Sequence, residues 1–280
     1  MPDANSRSDA IAKFRTLHES GCFVLPNPWD VGSAIYLQRL GFKALATTSA
    51  GVAFSHGKSD STPALPLDLM LAHFREIVNA TSLPVNADFQ SGYADEPEDV
   101  SENVSRCIAT GVAGLSIEDN TGHAEAPLYE KNLATQRIRA ARDAIDRSGS
   151  PVVLTGRCEA WLVGHADPLG TALDRLVAYA EAGADCLYAP GVTERDEIAQ
   201  IVKAISPKPV NVLVSSPSKE LTVARLADLG VRRISVGSIL ARIAWGAFMR
   251  SARAIAATGT FESFADAAPF AELNELFSNR

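Results

Sequence analysis

The sequence predicts an α/β protein with a (β/α)8 TIM-type barrel, and three observations carry that expectation. Eight short apolar or β-branched runs recur along 280 residues, most of them continuous and most ending on a polar residue. Continuous apolar runs suit parallel strands buried on both faces. Amphipathic stretches separate the runs, and one helix-to-strand turn recurs almost unchanged as Leu40-Gly41-Phe42, Ala182-Gly183-Ala184-Asp185 and Leu229-Gly230-Val231. Strands joined by regular helical crossovers build a parallel sheet that closes at eight.

Residues 1–10 are expected to be loosely ordered. The expected strands are Cys22–Pro26, Ala44–Thr48, Val85–Phe89, Gly114–Glu118, Val152–Arg157, Asp185–Ala189, Val210–Val214 and Arg233–Val236. Three helices stand out between them: Ile138–Ser148, Thr171–Ala182 and Ser218–Leu229. In the second, Leu173, Leu176, Val177, Tyr179 and Ala180 form one stripe; in the third, Thr222, Val223, Leu226 and Leu229 face one way. Gly41, Gly111, Gly183 and Gly230 stand where a helix closes before the next strand. From Ala241 to Arg280 the pattern is helical, with Ile243, Ala247, Phe248 and Ala252 followed by Phe261–Phe277. That is longer than one closing helix requires, so the tail packs under the barrel or crosses to a neighbouring subunit. The domain reading is one barrel over residues 1–280, with 241–280 a helical extension. The competing architecture is an open doubly wound sheet; its nucleotide-binding forms lack support, because neither GxGxxG nor GxxxxGK[ST] is present.

Composition narrows the function classes. The chain is 46% hydrophobic and 21% charged, enough for a large core, with a net charge of −7 and no basic tract. It therefore carries no electrostatic footprint for nucleic acid. No apolar run approaches the ~18 residues of a membrane span, so no membrane partner is expected. Met1 to Lys13 is polar and has no signal-peptide core. Cys22, Cys107, Cys158 and Cys186 are never spaced as CxxC and read as reduced thiols of a cytoplasmic protein.

In a barrel of this kind the chemistry lies at the C-terminal strand ends. Read in order, these are Asn27, Ser49, Asp88, Glu118, Arg157 with Glu159, Pro190, Ser215 and Gly237. Asn211 opens its strand and reaches the site only if that strand is short. No histidine ends a strand, so no Ser-His-Asp triad is expected. Asp88 is the best metal ligand, since a carboxylate suits Mg²⁺, which keeps several waters; Gln90 and Glu118 would hold those waters. The competing role for Asp88 is to cap the turn before Gly92. Arg157, ending a buried strand, must be paired, either as a clamp on a substrate carboxylate or in an ion pair with Glu159 or Glu118. Ser49-Ala50-Gly51 is small enough for backbone N–H groups to approach a carboxylate or oxyanion, or is a plain loop. Asp60 is a candidate outer acid. Cys158 points away from its neighbours Arg157 and Glu159 and packs against helices. His123 lies either on a lid or on an exposed loop.

The ordered set Asn27-Pro28-Trp29-Asp30, Thr48-Ser49-Ala50-Gly51, Ala87-Asp88-Phe89-Gln90-Ser91-Gly92-Tyr93, Ile117-Glu118-Asp119 and Gly156-Arg157-Cys158-Glu159-Ala160 resembles the isocitrate lyase/phosphoenolpyruvate mutase superfamily. The resemblance covers about residues 10–260. It implies a Mg²⁺-dependent lyase (Mn²⁺ as the alternative ion) acting on small 2-oxo or 2-hydroxy acids through an enolate. It also implies homo-oligomers, dimers or a homotetramer, whose last helix is swapped between subunits. Position by position, it makes Asp88 the direct metal ligand, with Gln90, Glu118 and Asp60 near the metal, mainly through water. Ser49, Ala50, Gly51 and Arg157 become substrate-binding, with Asn211 beside them, and Glu118, Arg157 and Asp60 the catalytic candidates.

The departures from the pattern concern specificity. The lyases' Lys-Lys-Cys-Gly-His loop is replaced by Asn120-Thr121-Gly122-His123-Ala124-Glu125-Ala126-Pro127. The mutases' lysine and histidine are replaced by Asn120 and by Ala189-Pro190-Gly191, and their second acid by Gln90. The decarboxylases' histidine has no counterpart in Asn211-Val212-Leu213-Val214-Ser215-Ser216. The expectation is a carbon–carbon lyase or decarboxylase of a small (di)carboxylic acid. The alternatives are carbon–phosphorus chemistry, as a phosphonomutase or phosphonopyruvate hydrolase, or a non-catalytic barrel that binds 2-oxo acids.

Overall fold

The computed structural model describes residues 4–61, 63 and 65–278. Eight strands, β1 (Phe23–Leu25), β2 (Leu45–Ala46), β3 (Val85–Asp88), β4 (Gly114–Glu118), β5 (Val153–Arg157), β6 (Cys186–Tyr188), β7 (Val210–Leu213) and β8 (Arg233–Ser235), pair in parallel. Each strand pairs with its sequence neighbour except at β1 and β2; β8 returns to β1, which makes a nearly closed barrel. The seam between β1 and β2 is bridged by Ala46 N–H donating to the Pro26 carbonyl at 3.0 Å. Asn27 braces the same edge. Its amide donates to the Thr47 carbonyl at 2.9 Å, while its oxygen accepts from the N–H groups of Val236 and Gly237. The strand-end residue Asn27 is thus part of the closure.

The ladders are shorter than the apolar runs at most ends. Pro26, Pro84 and Pro209 flank strands and cannot donate to a ladder. Gly114–Glu118 matches its expected limits.

Helices alternate with the strands: α1 (Ala4–Glu19), α2 (Val31–Arg39), α3 (Ser49–Ser55), α4 (Leu67–Ala80), α5 (Pro97–Ile108), α6 (Lys131–Ser148), α7 (Pro168–Glu181), α8 (Arg195–Ile205) and α9 (Val223–Asp228). Asp30, Thr48, Asp167 and Thr222 begin four of them by accepting a first-turn backbone N–H. The helix-closing glycines adopt positive φ; Gly183, at +107°, takes a conformation that L side chains avoid.

Three expectations are corrected. Within the stretch expected to be loose, α1 begins at Ala4, because Ile11 and Phe14 are buried and Phe14 packs edge-on against Phe23 of β1; residues 1–3 lie outside the described residues. In α7 the buried face is Ala172, Leu176 and Tyr179, while Val177 is exposed. The helix expected over Ser218–Leu229 starts only at Val223, since Ser218 Oγ accepts the N–H groups of Glu220 and Leu221 in a turn.

Beyond the barrel run α10 (Ile239–Thr258), a 3₁₀ turn (Glu262–Asp266) and α11 (Phe270–Ser278), as the helical pattern of the tail predicted. Only Ala241 of α10 is buried, and Phe248, Phe261 and Phe270 are exposed. No helix of the described residues is long and apolar enough to cross a membrane.

The barrel interior is unusually polar. The strand period of two turns Asn86 and Asp88, Ser116 and Glu118, Thr155 and Arg157, and Arg233 and Ser235 to the same side of their strands. Six of these, with Asn211, line one cavity.

Candidate active site

The cavity opens at the C-terminal strand ends and holds about 160 Å³. That suits a molecule of a few heavy atoms. Ser49, Ala50, Asp60, Asp88 and Arg157 stand around its mouth, and Asn86, Ser116, Asn211, Arg233 and Ser235 line it further in.

An ion cluster organises the mouth. The ladder sets Glu118 beside Arg157 in register. Arg157 Nη1 lies 3.1 Å from Glu118 and 3.2 Å from Asp88. Its Nε and Nη2 both bind Glu159, the latter at 3.1 Å. The internal ion pair expected for Arg157 is present, with Asp88 added to Glu118 and Glu159, and the guanidinium also faces the cavity. The other oxygen of Asp88 accepts the Ser49 N–H at 2.8 Å, which ties β3 to the start of α3. Glu159 is fixed from behind, because its N–H donates to Asp119 at 2.8 Å. Asp119 in turn accepts from Tyr179 at 2.7 Å and pairs with Arg175 at 3.1 Å.

Charge is unbalanced at the mouth: Asp60, Asp88, Glu118 and Glu159 gather around one guanidinium. Burial pushes the Glu118 carboxyl well above the usual range; Arg157 resists, and Glu159, Asp88 and Asp60 add to the rise. Burial also raises Glu159, against the pull of Arg157. Burial works against the Arg157 charge, but Glu118 and Glu159 outweigh it and hold the proton more firmly than usual. Asp60 is pushed up to about 6, first by burial and then by Asp88. Like charges held this close favour either protons or a cation among them.

The donor chemistry fits Mg²⁺. Among the described residues no three His, Cys, Asp or Glu side chains form a ready-made cage. Mg²⁺ needs only one or two carboxylates and keeps its waters. Asp88 and Asp60 offer two oxygen donors on the cavity wall, inside an excess of negative charge.

The expected site residues divide. Ser49, Ala50, Asp60, Asp88, Arg157 and Asn211 line the cavity. Asn211 reaches it from within a ladder of only Val210–Leu213. Gly51 does not: its N–H is spent on Thr48 Oγ1 at 3.2 Å, and a Cβ there would stand 2.7 Å from Thr48 Cγ2. Glycine at this position answers close packing, not substrate contact. Gln90 also lies off the cavity wall; its amide donates to the Ser61 carbonyl at 2.9 Å and so tethers the segment carrying Asp60. Glu118 is reached only past Arg157.

His123 stands apart on an exposed loop that braces itself, with Asn120 bridged to Leu128 and Thr121 N–H donating to Pro127 at 3.0 Å. Burial pushes the thiol of Cys158 far up, in keeping with a packing role. Strand-end reasoning missed Asn86, Ser116 and Arg233, which lie two residues below the strand ends, and Ser235, which ends β8 one residue before the expected limit. The available signal was the polar residue inside each apolar run.

Acidic strand ends and a buried arginine stand around a small cavity at the C-terminal face of an α/β barrel, where barrel enzymes carry their active sites. The phosphoenolpyruvate phosphomutase family profile matches residues 14–256. The chain belongs to that family, within the phosphoenolpyruvate mutase/isocitrate lyase superfamily, whose members include lyases. An uncharacterized protein of Mycobacterium tuberculosis is 35% identical over 93% of this chain and 94% of its own length. A Burkholderia cenocepacia J2315 protein, provisionally described as a lyase/mutase, superposes with a TM-score of 0.93 at 44% identity, covering 98% of both chains. The structure of 2,3-dimethylmalate lyase, a superfamily member, superposes at 0.83 with 25% identity, covering 98% of this chain and 95% of that one.

Proposed function

We propose that the chain is a Mg²⁺-dependent lyase or decarboxylase that cleaves a carbon–carbon bond of a small 2-oxo or 2-hydroxy (di)carboxylic acid. The observation that carries this reading is the surplus of carboxylates over the single guanidinium of Arg157, at the mouth of a cavity of about 160 Å³. Asp88, with Asp60 beside it, would hold the ion, which supplies positive charge for the substrate oxygen and for the enolate left by cleavage. Arg157, whose guanidinium Asp88 and Glu118 already share, would bind the substrate carboxylate. The Ser49 N–H keeps Asp88 turned toward the cavity. In the metal-free chain burial pushes the Asp60 carboxyl up to about 6, and the ion held beside it would draw that proton off. Gln90 holds the Asp60 segment closed from behind. The tail over 241–280 acts as an assembly arm in a homo-oligomer: its exposed aromatic residues, Phe270 at 83% exposure among them, are covered by a second copy of this chain. The four cysteines are free thiols, which supports a cytoplasmic setting.

Carbon–phosphorus chemistry is the second reading, favoured by the family profile itself. Oxaloacetate, substituted malates and phosphonopyruvate, each assayed with Mg²⁺ for release of pyruvate or other carboxylic-acid products and for inorganic phosphate, separate the two. Cleavage of a carboxylic acid without phosphate release is expected, with kcat/KM falling by at least ~10³-fold in Asp88→Ala. Phosphate release favours the second reading, and full turnover in Asp88→Ala breaks the metal assignment. Binding of oxalate with no turnover of any acid favours the silent barrel.

A further inference from the structure

β8 opens with an arginine. Arg233 is buried, at 2% exposure, yet it lines the same cavity as Asp88 and Arg157. An arginine inside a parallel barrel strand is rare unless it is paired with an acid. Its three hydrogen-bond partners are all neutral. Nε donates to Asn211 Oδ1 at 2.9 Å, Nη2 to Thr155 Oγ1 at 3.0 Å, and Nη1 lies 3.3 Å from His18 Nε2. His18 cannot supply a negative charge. Its Nδ1 sits 2.7 Å from the Phe14 carbonyl and must donate there, which leaves Nε2 as the acceptor. Burial, then Arg233 itself, lowers the His18 pKa to about 3, so the ring is neutral.

Arg233 makes no ion pair with any described residue. The mouth carboxylates are tied instead to Arg157, and Arg233 is not among the charges that shift Asp60, Glu118 or Glu159. A guanidinium has five N–H donors, and three contacts leave two of them unspent beside the cavity. A buried charge in this state is costly until an anion joins it.

The position fits a ligand that spans two levels. Thr155, which Arg233 touches, precedes Arg157 by two residues on β5, roughly 6–7 Å along the strand. One end of a small diacid at Arg157 would place its other end toward Arg233.

We propose that Arg233 receives a second carboxylate of the substrate inside the barrel and makes the site selective for diacids over monoacids. The proposal rests on reading the mouth as a platform for 2-oxo or 2-hydroxy acids. Without Arg233 the wall below Arg157 would offer only neutral groups.

Calorimetric titration of the full chain with malate, lactate and oxalate, each with Mg²⁺, tests this. Malate and lactate share a 2-hydroxy acid head and differ by the distal carboxylate. Malate should bind at least ~10-fold more tightly than lactate. Arg233→Gln should bring malate down to the level of lactate and leave lactate and oxalate within about twofold. Arg233→Lys keeps the charge and should keep a preference for malate. Equal affinity for malate and lactate in the unaltered chain overturns the subsite while leaving the mouth platform standing, and this comparison needs no variant to fold. Equal weakening of all three acids in a folded Arg233→Gln marks a structural strut and also overturns it. If none of the three acids binds, the platform reading falls and the subsite falls with it.

Discussion

The mouth of the barrel and its interior floor handle charge in opposite ways. At the mouth, four carboxylates share one guanidinium, and burial drives Glu118, Glu159 and Asp60 toward their protonated forms. At the floor, one guanidinium faces Asn211, Thr155 and a neutral His18. The two layers meet on β5, where Thr155 and Arg157 stand two residues apart. Each is incomplete alone, since one calls for a cation and the other for an anion. The proposed metal and the proposed diacid would each answer one of these two layers.

Removing the cation at the mouth should have the largest effect. Arg157→Met leaves Asp88, Glu118 and Glu159 facing one another without a counter-charge, and breaking a buried pair in this way costs about 3–5 kcal/mol. Urea unfolding of the metal-free chain at neutral pH measures it. The deficit should shrink at pH 5, where the carboxylates take up protons. A deficit that does not change with pH would mean lost packing, and the contrast between the layers would weaken.

The floor should respond to acid. The unfolded chain protonates His18 near 6.5, whereas the folded chain refuses that proton until about 3. Stability from this group therefore falls as pH drops from 6.5 toward 3, by on the order of a few kcal/mol. In His18→Gln that share of the slope should vanish, whatever the variant costs at neutral pH; unfolding midpoints across the range read it.

The smallest effect has the opposite sign. Asp60 holds its proton up to about 6 in the folded chain against 3.8 ordinarily. Between those values the unfolded chain has released a proton that the folded chain keeps, so stability falls as pH rises from about 4 to 6. Asp60→Asn should flatten that part of the profile in the metal-free protein, by a modest amount because the group is partly solvated. If both layers drifted in the same direction with pH, the division of charge would be wrong.

Much of the architecture was legible along the chain. The run Gly114–Glu118 is the observed strand to the residue, because glycine opens it and a carboxylate ends it. Asp88 and Arg157 stood out as charged ends of apolar strands, and both face the cavity. Gly51 and Gln90 lie off the cavity wall, each for a local reason. A glycine beside a substrate loop and a glycine forced by a neighbouring threonine look the same in sequence. A glutamine two residues past Asp88 gives no sign that its amide donates to Ser61, 29 residues earlier. Arg233 was passed over because it opens its strand, while attention rested on strand ends. In α1, Ile11 and Phe14 were too few to announce a helix among polar neighbours, yet they are buried against the barrel.

By itself the sequence determined the strand and helix alternation, the turns between them and the direction in which each strand residue points. Those follow from periods of two and 3.6 and from where glycine and proline are tolerated. The tertiary structure decided which groups meet. Arg157 finds Asp88 across 69 positions, and Arg233 finds Thr155 across 78. Such pairings depend on how the sheet closes and staggers, which is set jointly by all eight strands and written in none of them.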